Sequence, residues 1–233
     1  MKTIGIIGAM EEEVAILKSR LEIITAKNIV GVEFYMGNLN GKNTVLVRSG
    51  IGKVNAAVCT QVLSDIYGVD CVINTGVAGA LHPSLGICDV VVSSDVVQHD
   101  FDASGFGYKP GIIPRMPVSY FPADEELARM AMEACAETAP NQTAMHGRIT
   151  SGDLFVSDAA VKQKIHKAFD ALCVEMEGAA IGHACYLNKI PFIIIRSMSD
   201  AASGSAEVDY NAFAAQAAEQ SSAIVERMIK DIS

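Results

Sequence analysis

The chain has 233 residues, 50% of them hydrophobic and 19% charged, and a net charge of −9. The acidic balance and the lack of any Lys/Arg cluster argue against a nucleic-acid partner. No apolar run reaches the roughly 18 residues of a membrane span. The length suits one large domain, expected to cover 1–233.

In chain order, Thr3 to Ile7 is a short apolar strand. Glu11, Glu12 and Glu13 follow at once, so a signal peptide's long apolar core is missing and a cytoplasmic location is expected. Glu11 to Leu21 has helical periodicity with acids in its first turn. Val30 to Leu39 and Asn43 to Arg48 read as a hairpin turning at Asn40-Gly41. Lys53 to Tyr67 is a helix expected to bury Val54, Ala57, Val58, Val62 and Ile66. Cys71 to Thr75 and Ile87 to Val97 are strands. Gln98 to Pro122 has no periodicity, and a stretch of that length inside a domain is expected to be functional or covered by a partner.

Beyond it come a helix from Ala123 to Glu137, a strand from Ala144 to Thr150 and a helix from Asp158 to Phe169. The apolar run Ala171 to Val174 leads into Glu175 and Glu177, and a small-residue helix spans Gly178 to Cys185. Ile193 to Ile195 runs into Arg196-Ser197-Met198-Ser199-Asp200, and a last helix covers Tyr210 to Ile232. Strands alternating with helices predict an α/β domain on a largely parallel sheet. Six scattered cysteines without a C-x-x-C pair read as small hydrophobes in a reducing compartment.

Two segments stand out. Glu175 and Glu177 sit where the chain otherwise reads as core, and burying an unpartnered carboxylate costs several kcal/mol. Arg196 to Asp200 lies at the carboxyl end of a strand, where ligands bind in open α/β sheets. Glycine turns follow three strands: Gly8-Ala9-Met10, Gly50-Ile51-Gly52-Lys53 and Gly76-Val77-Ala78-Gly79. The second has Asn55 where a dinucleotide fingerprint needs its third glycine, and it lacks P-loop spacing. Together the turns are expected to bring backbone N–H groups around one concave site.

Plainer readings stand beside these. Glu11, Glu12 and Glu13 are ordinary first-turn acids by position. Phe155 and Met176 alone read as core, and Arg196 with Asp200 reads as a four-residue salt bridge. His82, His99, His146, His166 and His183 lack metal-ligand spacing, so no metal is expected.

Six motifs in register carry a resemblance. They are Gly8-Ala9-Met10-Glu11-Glu12-Glu13, Ser49-Gly50-Ile51-Gly52-Lys53-Val54-Asn55-Ala56-Ala57, Asn74-Thr75-Gly76-Val77-Ala78-Gly79, Ser151-Gly152-Asp153, Val174-Glu175-Met176-Glu177 and Arg196-Ser197-Met198-Ser199-Asp200. In order and spacing they resemble the 5′-methylthioadenosine/S-adenosylhomocysteine nucleosidase family of the purine nucleoside and uridine phosphorylase superfamily. The resemblance implies a three-layer α/β/α sandwich with a twisted mixed, largely parallel sheet, and no cofactor. It implies hydrolysis of the N-glycosidic bond of adenine nucleosides.

By the same resemblance, Asp200 is similar to the acid that protonates adenine N7, with Ser199 holding its carboxyl. Glu13 matches the base that activates water, Arg196 the group that fixes that water, and Glu177 the ribose clamp. Glu175 has a supporting place. Phe155 matches the ring that stacks on adenine, the Val156 backbone reads the base edge, and Gly79 leaves room for it. Met10, Ile51, Met176 and Tyr210 match the ribose and 5′ pocket. Family members are homodimers, and Ala103, Phe106, Tyr108 and Pro114 match the loop that closes the partner's 5′ pocket.

Val77 departs from the family's usual serine beside the water, and Tyr210 from its usual phenylalanine. An aminofutalosine-type nucleosidase, a phosphorylase and a non-catalytic nucleoside binder are the alternatives. Phosphorylases place arginines near the first glycine turn and at the end of the third strand, where this chain has Glu13 and Asn74. A carboxylate there repels phosphate.

Overall fold

The computed structural model describes residues 2–202 and 206–232, with side chains at all of these except 206–212 and 214. Its centre is strand β1 (Thr3–Gly8), whose apolar run is buried on both faces, as a strand inside a covered sheet requires. β1 pairs in parallel with β4 (Lys42–Arg48) on one side and β5 (Cys71–Ala80) on the other. On the β4 side the sheet ends in two antiparallel strands, β3 (Val32–Leu39) and β2 (Glu22–Ile29).

On the other side the sheet curls into a ring. β5 pairs in parallel with β10 (Phe192–Asp200), and β10 runs antiparallel to β6 (Val90–Gln98). β6 pairs with β8 (Ala144–Ser151) and β8 with β9 (Cys173–Glu175), both in parallel. β9 returns to the end of β5 through Gly79 and Ala80. The two-residue strand β7 (Phe121–Pro122) lies against β6.

Helices cover both faces, giving three layers. Helices α1 (Glu11–Arg20), α3 (Glu125–Thr138) and α6 (Ala206–Ile229) pack on one face, with Ile193 and Ile195 of β10. Helices α2 (Lys53–Asp65) and α5 (Gly178–Asn188) pack on the other, with Phe192 and Ile194. The alternation along β10 is the two-residue period of a strand buried on both sides. Helix α4 (Ala159–Phe169) lies apart, over the ends of β6 and β9, with Ile165 and Phe169 in a small third cluster.

Three expectations are corrected. The first concerns the hairpin, which begins one strand earlier than the sequence pattern suggests. Val30 and Gly31 are not strand but a two-residue turn between β2 and β3, with φ of 51° and 79°. Asn40 and Gly41 make the same kind of turn, at 53° and 82°, before β4. Both are type I′-like, but only Asn-Gly announces itself, because valine at positive φ is strained. β2 is an edge strand exposed over nearly its whole length, so no apolar alternation marks it.

The second correction is the buried face of α2. Ala56, Cys59, Thr60, Val62 and Leu63 face the sheet, whereas Val54 is 73% exposed and Val58 and Ile66 are exposed too. With Leu187 of α5 they leave apolar side chains on the outer surface of this layer. The third is β5, which runs straight through Gly76-Val77-Ala78-Gly79 to Ala80 rather than turning there.

Val30→Asn is expected to stabilise the fold by about 1 kcal/mol, because asparagine accepts the left-handed conformation. Val30 is largely exposed and gives up little burial. Urea unfolding of both proteins checks this, and an unchanged or lower midpoint would count against a strained turn.

Candidate active site

The carboxyl ends of β1, β5, β9 and β10 open into a cavity of about 510 Å³, a size that suits a small organic ligand. Ala9, Met10, Glu13, Ile51, Val77, Gly79, Phe155, Val156, Met176, Glu177, Ser199 and Asp200 line it. The sequence-predicted residues therefore converge from six segments of the chain. Leu154 and Glu175 also line it, and Leu154 is not foreseen. Phe155 is half-exposed at the cavity rather than in the core, and Met176 is half-buried. Among the described residues, Ala103, Phe106, Tyr108 and Pro114 do not line this cavity, and Phe106 is 86% exposed. The side chain of Tyr210 lies outside the described residues.

Glu13 shows how position and chemistry combine. It is the third residue of α1, and its Oε2 accepts hydrogen bonds from the backbone N–H of Ala9 (2.7 Å) and Met10 (3.0 Å). This is the reach-back of a capping acid. Unlike the exposed Glu11 and Glu12, Glu13 is buried, and its Oε1 accepts from Val77 N at 3.0 Å. Burial pushes its pKa above the ordinary carboxylate value, outweighing Arg196 and the three N–H donors.

Arg196 is 1% exposed. Its Nη2 donates to Asn74 Oδ1 at 2.6 Å and to Glu175, and lies 3.9 Å from Glu177 Oε2. Among the described residues, its Nη1 and Nε have no hydrogen-bond partner. Gly76 makes room here. A β-carbon on it would lie 2.2 Å from Glu13 Oε1 and 2.7 Å from Arg196 Nη1. Any side chain at 76 would push these two groups aside.

Glu175 and Glu177 have different duties. Glu175 accepts from the backbone N–H of Glu177 (3.1 Å) and Gly178 (2.8 Å), and also from Ser151 and Arg196. It thus anchors the start of α5 and the guanidinium. Glu177 has one backbone donor, Gly52 N at 2.8 Å, at the entrance to α2. Gly52 has φ of 99°, a left-handed conformation that suits glycine. Burial first, and then the Glu175 charge, raises the pKa of Glu177 to about 7, against the pull of Arg196.

Asp200 closes the far end of the cavity. Its Oδ1 accepts from Ser199 Oγ at 3.2 Å and lies 3.3 Å from where a β-carbon on Gly79 would be. Its Oδ2 is ion-paired with Lys162 Nζ of α4. The salt bridge that is the plainer reading of Arg196 and Asp200 is not formed among the described residues: Arg196 pairs with Glu175 and Asp200 with Lys162. Lys162 is missing from the sequence-predicted set. Its one signal was its place on the apolar stripe of α4 with Ile165 and Phe169.

Chemically, the cavity has the buried Glu13 carboxyl group near a guanidinium at one end and the Asp200 carboxyl group at the other. A further carboxyl group, that of Glu177, stands on its wall, and apolar surface lies between. The backbone donors of two glycine-bearing turns are already engaged by Glu13 and Glu177, so they are not free to cradle a phosphate.

Comparison with known proteins agrees over the full length. The model of the phosphorylase superfamily matches residues 3–230. A 5′-methylthioadenosine/S-adenosylhomocysteine nucleosidase of Staphylococcus haemolyticus is 46% identical over 228 residues, which is 97% of this chain and 99% of that one. The structure is similar to that of a nucleosidase of the same description from Neisseria meningitidis in complex with methylthio-immucillin-A. That match has a TM-score of 0.94 and 39% identity over all of both chains. It is also similar to futalosine hydrolase of Helicobacter pylori, with a TM-score of 0.92 and 33% identity over 99% and 98% of the two chains.

The raised pKa of Glu177 has a consequence for stability. The folded state favours its protonated form, so this contribution is full below the ordinary value of 4.5 and is lost as pH rises through about 7. Glu177→Gln keeps this position neutral at every pH. It is expected to be more stable than the parent by about 1–3 kcal/mol near pH 8, with no gain near pH 4. Urea unfolding at both pH values measures this, and a difference independent of pH would refute the assignment.

Proposed function

This chain belongs to the phosphorylase superfamily and, within it, to the 5′-methylthioadenosine/S-adenosylhomocysteine nucleosidases, and from that premise we propose how its residues cleave their substrate. It is an N-glycosyl hydrolase that acts on 5′-methylthioadenosine and S-adenosylhomocysteine, releasing adenine and the 5-substituted ribose. 5′-Deoxyadenosine is a further substrate of the same shape. The whole chain acts as one nucleosidase domain. The observation that carries the reading is that Glu13 and Arg196 both border the space beside Gly76, with Asp200 at the opposite end of one cavity.

In the proposed mechanism adenine stacks on Phe155, with its edge against the Val156 backbone and Gly79. Asp200 gives its proton to N7, so the C1′–N9 electrons enter a neutral leaving base. The ribosyl carbon becomes cationic, and the Glu177 carboxylate faces that charge while gripping the ribose hydroxyls. Water held between Glu13 and Arg196 Nη1 attacks C1′, and Glu13 takes its proton. A base whose pKa is raised by burial is better matched to that task at neutral pH. Met10, Ile51 and Met176 enclose the 5′ substituent.

Val77 is compatible with this. Its backbone N–H holds Glu13, while its side chain packs with Ala217, Ala218 and Met10. The two water-holding groups are then Glu13 and Arg196. The likeness to futalosine hydrolase supports a second reading, in which an aminofutalosine-type nucleoside is cleaved by the same residues.

The reading extends to a homodimer in the cytoplasm. Its support is the apolar outer surface formed by Val54, Val58, Ile66 and Leu187, with exposed Ile51 three residues before Val54. A second copy seated there would bring Phe106 and Tyr108 to the open 5′ side. The six buried free cysteines suit a reducing compartment.

Adenine release from 5′-methylthioadenosine in phosphate-free buffer is the direct test, and no release would end the proposal. Glu13→Gln and Asp200→Asn are each expected to lose roughly 10²–10⁴-fold in kcat while still binding nucleoside. Turnover that depends on added phosphate at constant ionic strength would point to phosphorolysis instead. Val54→Glu is expected to give a folded monomer by light scattering, with weakened substrate binding. A dimer that persists in this variant would place the interface elsewhere.

A further inference from the structure

Lys162 is 2% exposed, yet it does not line the cavity. It sits on the inward face of α4 with Ile165 and Phe169, a place that leucine would fill without desolvating a charge. Its Nζ has two partners, Asp200 Oδ2 and the Ala201 carbonyl at 2.9 Å. The helix is fixed where it must be for this reach. Asp158 caps it by accepting from Val161 N at 2.9 Å, and the Asp158 carbonyl accepts from Lys162 N at 2.9 Å. A buried ion pair is weak evidence for stability, because a well-packed apolar pair often does as well. Its retention beside a reacting group asks for another account.

We propose that Lys162 is a positioning residue for the leaving-group acid. This rests on the reading of Asp200 as the donor to adenine N7. The two oxygens of Asp200 are made unequal. Oδ2 is held by the ammonium, and Oδ1 is held by Ser199 beside Gly79. The carboxyl plane is thereby fixed, with both oxygens beside Gly79 (3.3 and 3.4 Å from where its β-carbon would lie) and Oδ1 the one not engaged by the ammonium. When the proton passes from Asp200 to N7, the C1′–N9 pair moves into the purine and a full negative charge is left on the carboxylate. Lys162 lies against the oxygen on which that charge develops, and both side chains are shielded from water. Stabilisation of a developing charge by a fixed partner of this kind is worth most in such surroundings.

The experiment is a kcat and KM comparison of the wild type with Lys162→Met and Lys162→Arg on 5′-methylthioadenosine. Lys162→Met is expected to lose roughly 10²-fold in kcat with KM changed less than about threefold, and Lys162→Arg to regain most of the loss. A second substrate isolates the step: a 4-nitrophenyl 5-methylthioriboside, whose phenolate leaves without protonation, is expected to show a much smaller loss. Wild-type kcat in Lys162→Met overturns the proposal, as does an equal loss on both substrates. Circular dichroism establishes folding first. Should Lys162→Met not fold, Lys162→Gln is judged by the same criteria. If the wild type itself releases no adenine, the nucleosidase reading fails; normal release with an unaffected Lys162 variant removes only this role.

Discussion

A guanidinium shielded from water is the constraint on which the rest of the site depends. Arg196 arrives at the end of β10 with three carboxylates near it, those of Glu13, Glu175 and Glu177. A lone buried cation would cost several kcal/mol, and one cation cannot neutralise three acids. The surplus appears in the acids themselves, since burial raises both Glu13 and Glu177 above the ordinary carboxylate value. Glu175 has the closest contact with Arg196 and three further donors, and so is the acid that anchors the cation. Glu13 and Glu177 accept fewer hydrogen bonds and line the same cavity.

The same accounting separates hydrolysis from phosphorolysis within one fold. Glycine turns at strand ends and the N-terminus of a helix are ready-made anion sites. Here the N–H groups of Ala9, Met10, Val77 and Gly52 are directed at side-chain carboxylates of the chain itself. The anions are built in, and a soluble phosphate would meet their charge rather than their donors. Water, which is neutral, can approach Glu13 and Arg196 where phosphate is repelled. The choice of reaction thus follows from which anion fills the donors.

Much of this was legible in the sequence, and the failures have definite causes. The chain order of strands and helices was readable because strands buried on both faces give continuous apolar runs, and α3 and α4 carry Asp caps at Asp124 and Asp158. Asn40-Gly41 marked its turn, whereas Val30-Gly31 adopts the same turn against the preference of valine and hid the strand before it. On α2 the apolar residues lie on two faces, so periodicity alone chose the outward one. The run from Gly76 to Gly79 read as a turn, yet its glycines serve a strand whose neighbours Glu13, Arg196 and Asp200 occupy the side-chain space. Glu13 looked like any first-turn acid, and only its register with the other motifs set it apart. Lys162 could not be found from pattern, because a lysine among Lys164, His166 and Lys167 reads as a solvated helix face.

The two ends of the cavity follow one design. At one end Arg196 holds Glu175 and stands beside Glu13, the proposed base. At the other end Lys162 holds Asp200, the proposed acid. Each cation approaches from outside the cavity lining, through an element that does not touch the ligand space with that side chain. The arrangement leaves the lining itself anionic and apolar, with Phe155, Val156 and Met176 between the acids. A ribosyl cation between such walls is stabilised, while a bound anion is not. Placing the positive charges behind the carboxylates fixes the geometry of the acids and leaves the cavity walls anionic. That is the physical requirement for breaking a glycosidic bond through a cationic carbon, and the sheet meets it by delivering both cation-bound segments, Arg196 and Asp200, on a single strand.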